Sequence, residues 1–155
     1  MVEKEILLVG CILFRAKEDD YEFLLLKRIP EKGGFWQYVT GKIEPNELDD
    51  YSIAAYREAC EEASLDRKDA IRLIENVHKF EFDKNYLTDG PSEIHKEFVY
   101  AIEVSNNFIP NIDNNIYPEH TESCWASFDE ALNLMKWNTN KDAIRKLYNM
   151  IKKTK

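Results

Sequence analysis

Four side chains in the stretch "REACEEASL" (57–65) have the types and the spacing to do chemistry: Arg57, Glu58, Glu61 and Glu62. In a helix the three glutamates stand at i, i+3 and i+4 and stack on one face. Like charges so placed destabilise a helix by roughly 0.2–0.5 kcal/mol per pair, so something must offset the repulsion. A divalent cation would do so. Hard cations such as Mg2+ take oxygen ligands, often one or two carboxylates with water and substrate phosphates completing the shell. Glu58 and Glu62, one turn apart, suit that role. Upstream, Gly41 could bring backbone carbonyls close to a cation, and Glu47 could hold Arg57 in an ion pair. The plain alternative is a solvated acidic face.

The elements that must position these groups can be read from the pattern. On a wheel of about 100° per residue, Ile53, Tyr56, Cys60 and Ala63 fall on one side of a helix over 49–64. The three glutamates fall nearly opposite. This predicts an apolar side docked on a sheet and an acidic side facing outward or into a cleft. "EILLVGCILF" (5–14) and "YEFLLLKRI" (21–29) read as two paired strands, apolar throughout because both sheet faces are covered. Residues 30–47, with Gly33, Gly34, Gly41 and two prolines, read as loop with short strand pieces. Residues 69–84 and 95–104 read as two more strands, and 105–115 as a polar connection leading to "EHTESCWASF". "FDEALNLM" and "NKDAIRKLYNMI" read as closing helices. Strands that follow one another without intervening helices favour an α+β fold with a mixed sheet between helices. One domain over 1–155 is expected.

Composition narrows the function classes. The 155 residues carry a formal charge of −8. A surface so acidic repels phosphate backbones, which argues against a nucleic acid polymer as partner. Local cations or a metal still admit a small phosphorylated substrate. Cys11, Cys60 and Cys124 are odd in number and widely spaced, which predicts free buried thiols and not a disulfide framework or zinc site. No basic region followed by an apolar core opens the chain, and no apolar run approaches the roughly 20 residues of a membrane span. A cytoplasmic protein with no membrane partner is expected. The sequence does not give the oligomeric state, and a homodimer is compatible with it.

The stretch Gly41 to Leu65 resembles the Nudix box, G-x5-E-x7-R-E-U-x-E-E-x-G-U with U aliphatic. Gly41 and Glu47 match, as does the run from Arg57 to Ala63. Two departures stand out: nine residues separate Glu47 from Arg57, and Ser64 replaces a glycine. The insertion should lengthen the loop before the helix, since two extra residues inside it would turn the apolar face out of register. Ser64 falls at the helix exit, where glycine usually serves a left-handed backbone position. A serine there is expected to cost stability and not chemistry. Beyond the box, "FLLLKR", "FWQYVTGKIEPNE", "PEHTESCWASFDEA" and "WNTNKDAI" are similar to the bacterial dihydroneopterin triphosphate pyrophosphohydrolases of that family.

The resemblance implies a Nudix fold, an α/β/α sandwich, and hydrolysis of a diphosphate linked to a further group X. Mg2+, with Mn2+ as substitute, would be held by Glu58, Glu61, Glu62 and, as a further ligand, Glu119. Glu61 and Glu119 both remain open as general base, and Arg57 would orient Glu47. From the residues, Lys27 and Arg28 at a strand end are placed to reach substrate phosphates. Trp36 or Tyr38 could stack on a planar base or pterin. Trp125 and Trp137 read as packing, His120 as incidental, and His78 and His95 have no metal spacing. X is expected to be dihydroneopterin, then a nucleoside of an ordinary or oxidised triphosphate. Diadenosine polyphosphates, nucleotide sugars and a non-catalytic nucleotide-binding module are the alternatives.

Overall fold

The computed structural model describes residues 4–153. Its frame is strand β1 (Lys4–Lys17), which turns at Glu18, in the left-handed region at φ 55°, into β2 (Asp20–Arg28). The apolar run of β1 has two destinations. Ile12 and Phe14 join one buried cluster, while Val9, Cys11 and Leu13 join another on the opposite face. A strand covered on both sides has no reason to alternate, which is why the run is continuous.

Two short strands, β3 (Trp36–Gln37) and β4 (Val39–Lys42), precede helix α1 (Tyr51–Ala63). The chain then runs through β5 (Ala70–Asp83), β6 (Glu93–Val104), β7 (His120–Ala126), α2 (Phe128–Leu134) and α3 (Asn138–Lys153). The mixed sheet has the order β3-β2-β1-β6-β5, with β4 also on β1 and β7 also on β2. β6 runs parallel to β1, and the other pairings are antiparallel. α3 covers one face with Ala143, Ile144, Leu147 and Ile151, and α1 covers the other with Ala54, Ala55, Ala59 and Ala63. The α+β fold with a mixed sheet between helices is as expected. No helix among the described residues is long and apolar enough to cross a membrane.

One detail of the sheet creates the site. β1 shares a single edge between two partners: β4 pairs with Leu8–Cys11 and β2 with Phe14–Lys17. The sheet therefore forks, setting β4 beneath α1 while β2 continues to β7. β7 itself has no signature in the sequence, because Thr121, Glu122 and Ser123 are exposed and polar. It is a strand because the outer edge of β2 supplies its hydrogen bonds, pairing Arg28 with His120. The cysteines are free, as expected, but only Cys11 is buried; Cys60 is exposed and Cys124 half-buried.

Candidate active site

α1 begins at Asp50, whose carboxylate accepts from the Ser52 N–H at 3.0 Å. It ends at Ser64 in the left-handed conformation, φ 60°, with the Leu65 N–H reaching Ala59 O. A 3-10 turn at Pro45–Glu47 and a loop over 48–50 lead into the helix. The docked face differs from the wheel prediction. The buried side consists of Ala54, Ala55, Glu58, Ala59, Glu62 and Ala63, while Ile53 and Cys60 point outward. Alanines let the helix sit close to the sheet, and bulk in an isoleucine or tyrosine would hold it off. Glu58 and Glu62 therefore stand in the middle of the buried arc, 7% and 5% exposed. Glu61 is on the rim, its side chain half exposed.

Gly41 makes room for this. A Cβ at position 41 would overlap the Glu58 carboxyl group, so the carboxyl lies where it does against β4 because position 41 is glycine. Burial, the largest influence, pushes the Glu58 carboxyl up to about 7; Arg57 opposes this, and neighbouring Glu61 and Glu62 add to it.

Arg57 answers part of the repulsion. Its Nε and Nη2 donate to the two oxygens of Glu47 at 2.7 and 2.9 Å, a bidentate pair, and Nη2 also donates to Lys42 O at 2.8 Å. Nη1 donates to Glu58 at 2.8 Å and Glu61 at 3.1 Å. Glu47 is buried, and its carboxyl is held below the ordinary range chiefly by the Arg57 hydrogen bonds. Sequence places Glu47 behind Arg57, and the geometry agrees.

Glu62 is held differently. Asn115 Nδ2 donates to one of its oxygens at 3.0 Å, and His120 Nδ1 lies 3.1 Å from the other. Neither contact is visible in the sequence, since 53 residues separate Asn115 from Glu62. The reading of His120 as incidental is corrected: its side chain is buried against the acidic face. Its neighbour Glu119 points elsewhere, accepting from Lys32 Nζ at 2.8 Å.

His120 also joins the basic end of β2 to α1. Its strand partner is Arg28, beside Lys27, which pairs with Trp36 across the sheet and with Glu122 at 3.6 Å. Arg28 Nε is buried without a hydrogen-bond partner among the described residues, an unusual state for a guanidinium. Trp36 is half-buried against the cluster under α3. Tyr38 is not a stacking platform. It is fully buried, donating to Glu97 at 2.8 Å and accepting from Asn140 Nδ2 at 2.9 Å. A ring with no exposed face cannot meet a ligand.

An all-oxygen set from Glu58, Glu61 and Glu62 suits a hard divalent cation. Among the described residues no three acid, histidine or cysteine groups yet close around one point. Nη1 of Arg57 occupies Glu58 and Glu61 instead. The Glu58 and Glu61 carboxylates can turn from Nη1 to a cation while Nε and Nη2 keep their hold on Glu47 and Lys42, so the donor set fits such an ion.

A model of the NUDIX domain matches residues 5–147. The chain belongs to the Nudix family. The dihydroneopterin triphosphate diphosphatase of Haemophilus influenzae is 32% identical over 139 residues, 86% of this chain and 83% of that protein. A Nudix protein from Listeria monocytogenes shares the fold at TM-score 0.77 and 26% identity, over 96% of this chain and 95% of that one. The dihydroneopterin triphosphate pyrophosphohydrolase of E. coli does so at TM-score 0.74 and 22% identity, over 97% and 99%. The stretch that resembles the Nudix box runs from Gly41 on β4 through α1 to Leu65.

Proposed function

We propose that this Nudix protein is a cytoplasmic pyrophosphohydrolase that cleaves a phosphoanhydride bond of a small triphosphate. Dihydroneopterin triphosphate is the first substrate to try, and deoxynucleoside triphosphates the second. The observation that carries this reading is a buried acidic helix face whose Glu62 is held by His120, the strand partner of Arg28, together with the Arg28 Nε buried without a hydrogen-bond partner among the described residues. One side accepts cations and the other accepts anions, which is what a metal-bound polyphosphate presents.

Mg2+ or Mn2+, bound by Glu58, Glu61 and Glu62, would neutralise phosphate charge and acidify water when present. Arg28 and Lys27 bind the phosphate oxygens and orient the chain of phosphates along the fork. Water adds to phosphorus as the bridging P–O bond breaks, and Glu61 on the rim takes its proton. Glu61 is preferred to Glu119 as base because it stands on α1 beside Glu58 and Glu62, whereas the Glu119 carboxylate points away to Lys32. Arg57 keeps Glu47 and the helix entrance fixed behind the reacting groups. The kinship with the Haemophilus influenzae diphosphatase supports the choice of substrate.

The test is a hydrolysis screen over dihydroneopterin triphosphate, nucleoside triphosphates, diadenosine polyphosphates and nucleotide sugars, with and without Mg2+ or Mn2+, products identified. Pyrophosphate release from a triphosphate only with the cation, and loss of kcat by orders of magnitude in Glu62→Gln, are expected. Full turnover in Glu62→Gln, or tight binding of nucleotides with no turnover in any condition, would overturn the reading.

A further inference from the structure

The Asn-rich segment before β7 is tied to the C-terminus of α1 at three points. Asn111 N–H donates to Ala63 O at 3.0 Å, Ser64 Oγ donates to Asn111 O at 2.8 Å, and Asn114 Nδ2 donates back to Ser64 Oγ at 3.2 Å. The next residue is Asn115, the one that reaches Glu62. Its amide orientation is set from the other side, because Asn115 Oδ1 accepts the Tyr117 N–H at 3.0 Å and so turns Nδ2 toward the carboxylate.

We propose that Ser64 and Asn115 are positioning residues for Glu62: the hydroxyl at the helix exit anchors a strap whose Asn115 amide fixes one carboxylate oxygen while His120 fixes the other. The inference rests on the pyrophosphohydrolase reading and adds a side-chain role at Ser64, where the box has glycine, and a residue outside the box, Asn115.

The carboxylate chemistry permits this. Each carboxylate oxygen has two lone pairs, so Asn115 and His120 use one on each and leave the second for a ligand. Held at both ends and buried, Glu62 has no rotamer freedom to lose when it binds. Outer partners of a ligating group typically contribute about 10–100-fold in metal affinity or activity. The serine thereby acquires a purpose. In the sequence it reads as a cost in stability, because a left-handed backbone suits glycine better. Its hydroxyl, which glycine lacks, is what the strap holds.

That opposition separates positioning from structure. Ser64→Gly relieves the backbone conformation and deletes both hydrogen bonds of the hydroxyl, so a merely structural role predicts a shifted melting temperature with unchanged activity. The positioning role predicts weaker function. The experiment takes the full chain as wild type, Ser64→Gly and Asn115→Ala. It measures melting temperature, Mn2+ affinity by electron paramagnetic resonance, and kcat and KM separately. The expected result is a loss of about tenfold or more in Mn2+ affinity and in kcat for Asn115→Ala. Ser64→Gly should lose in the same direction, with KM nearly unchanged. Variants that bind Mn2+ and turn over as wild type does would overturn the proposal alone. A wild type that neither binds Mn2+ nor turns over substrate would overturn the functional reading, and this inference with it.

Discussion

Removing the Arg57 guanidinium should be the most damaging single truncation behind the site. Arg57→Ala leaves the buried Glu47 carboxylate, 2% exposed with Arg57 in place, with the Glu44 N–H, at 2.9 Å, as its remaining donor among the described residues. Breaking a buried ion pair by deleting one partner typically destabilises by about 3–5 kcal/mol. The Arg57 side chain is itself 21% exposed, so water recovers part of the loss and the low end, about 3 kcal/mol, is expected. At about 2–4 °C per kcal/mol for a chain of this size, the melting temperature should fall by about 6–12 °C. The sign with pH follows from Glu47. Its carboxyl is depressed in the fold, so the pair's contribution is complete above the ordinary carboxylate range and is lost as pH falls through the depressed value. Urea melts of wild type and variant at pH 7.5, 5 and 3.5 therefore test both claims. The gap should be largest at pH 7.5 and should narrow in acid. A gap below 1 kcal/mol at pH 7.5, or one that widens on acidification, would refute the reasoning.

Other changes probe neighbouring parts of the same frame. Gly41→Ala sets a methyl group against the Glu58 carboxyl; kcat should fall at least tenfold, with about 1–3 kcal/mol lost to overpacking, and a wild-type kcat would contradict this. Glu97 is raised from 4.5 to about 7 by burial, with the Tyr38 hydrogen bond opposing. A carboxylate raised in the fold weakens stability as pH climbs from about 4.5 to 7, by about 3 kcal/mol at 1.36 kcal/mol per pH unit. Glu97→Gln should flatten that decline in urea midpoints, and an unchanged pH profile would refute it. Tyr38→Phe strips Glu97 and Asn140 of a shared partner and should destabilise by about 1–3 kcal/mol while leaving KM unchanged; a large rise in KM with no loss of stability would restore Tyr38 as a ligand contact.

The legible part of this molecule is what local pattern encodes. Apolar runs without alternation mark β1 and β2 because both faces of the sheet are covered, and the box residues reveal α1 because their spacing is helical. Hydrophobicity alone misplaces the docked face of α1. Four alanines bury the helix by being small, which no apolar scale rewards, and this carries Glu58 and Glu62 inward with them. β7 was invisible because its pairing with β2, not its own composition, makes it a strand. Tyr38 follows Trp36 in an alternating stretch, but only the tertiary partners Glu97 and Asn140 show that it points into the core. Asn115 and His120 meet Glu62, and Asn111 and Asn114 meet Ser64, across tens of residues, a separation at which one sequence contains no signal.

Where a cation binds decides whether the acidic face of α1 is a metal platform. Crystals soaked in Mn2+ with a non-hydrolysable triphosphate analogue, measured by anomalous diffraction, give the direct answer. The account predicts a peak bounded by Glu58 and Glu62, with Arg57 still clamped on Glu47 and phosphate oxygens toward Arg28. A peak elsewhere on the chain, with the α1 carboxylates bound only by Arg57, Asn115 and His120, would contradict it.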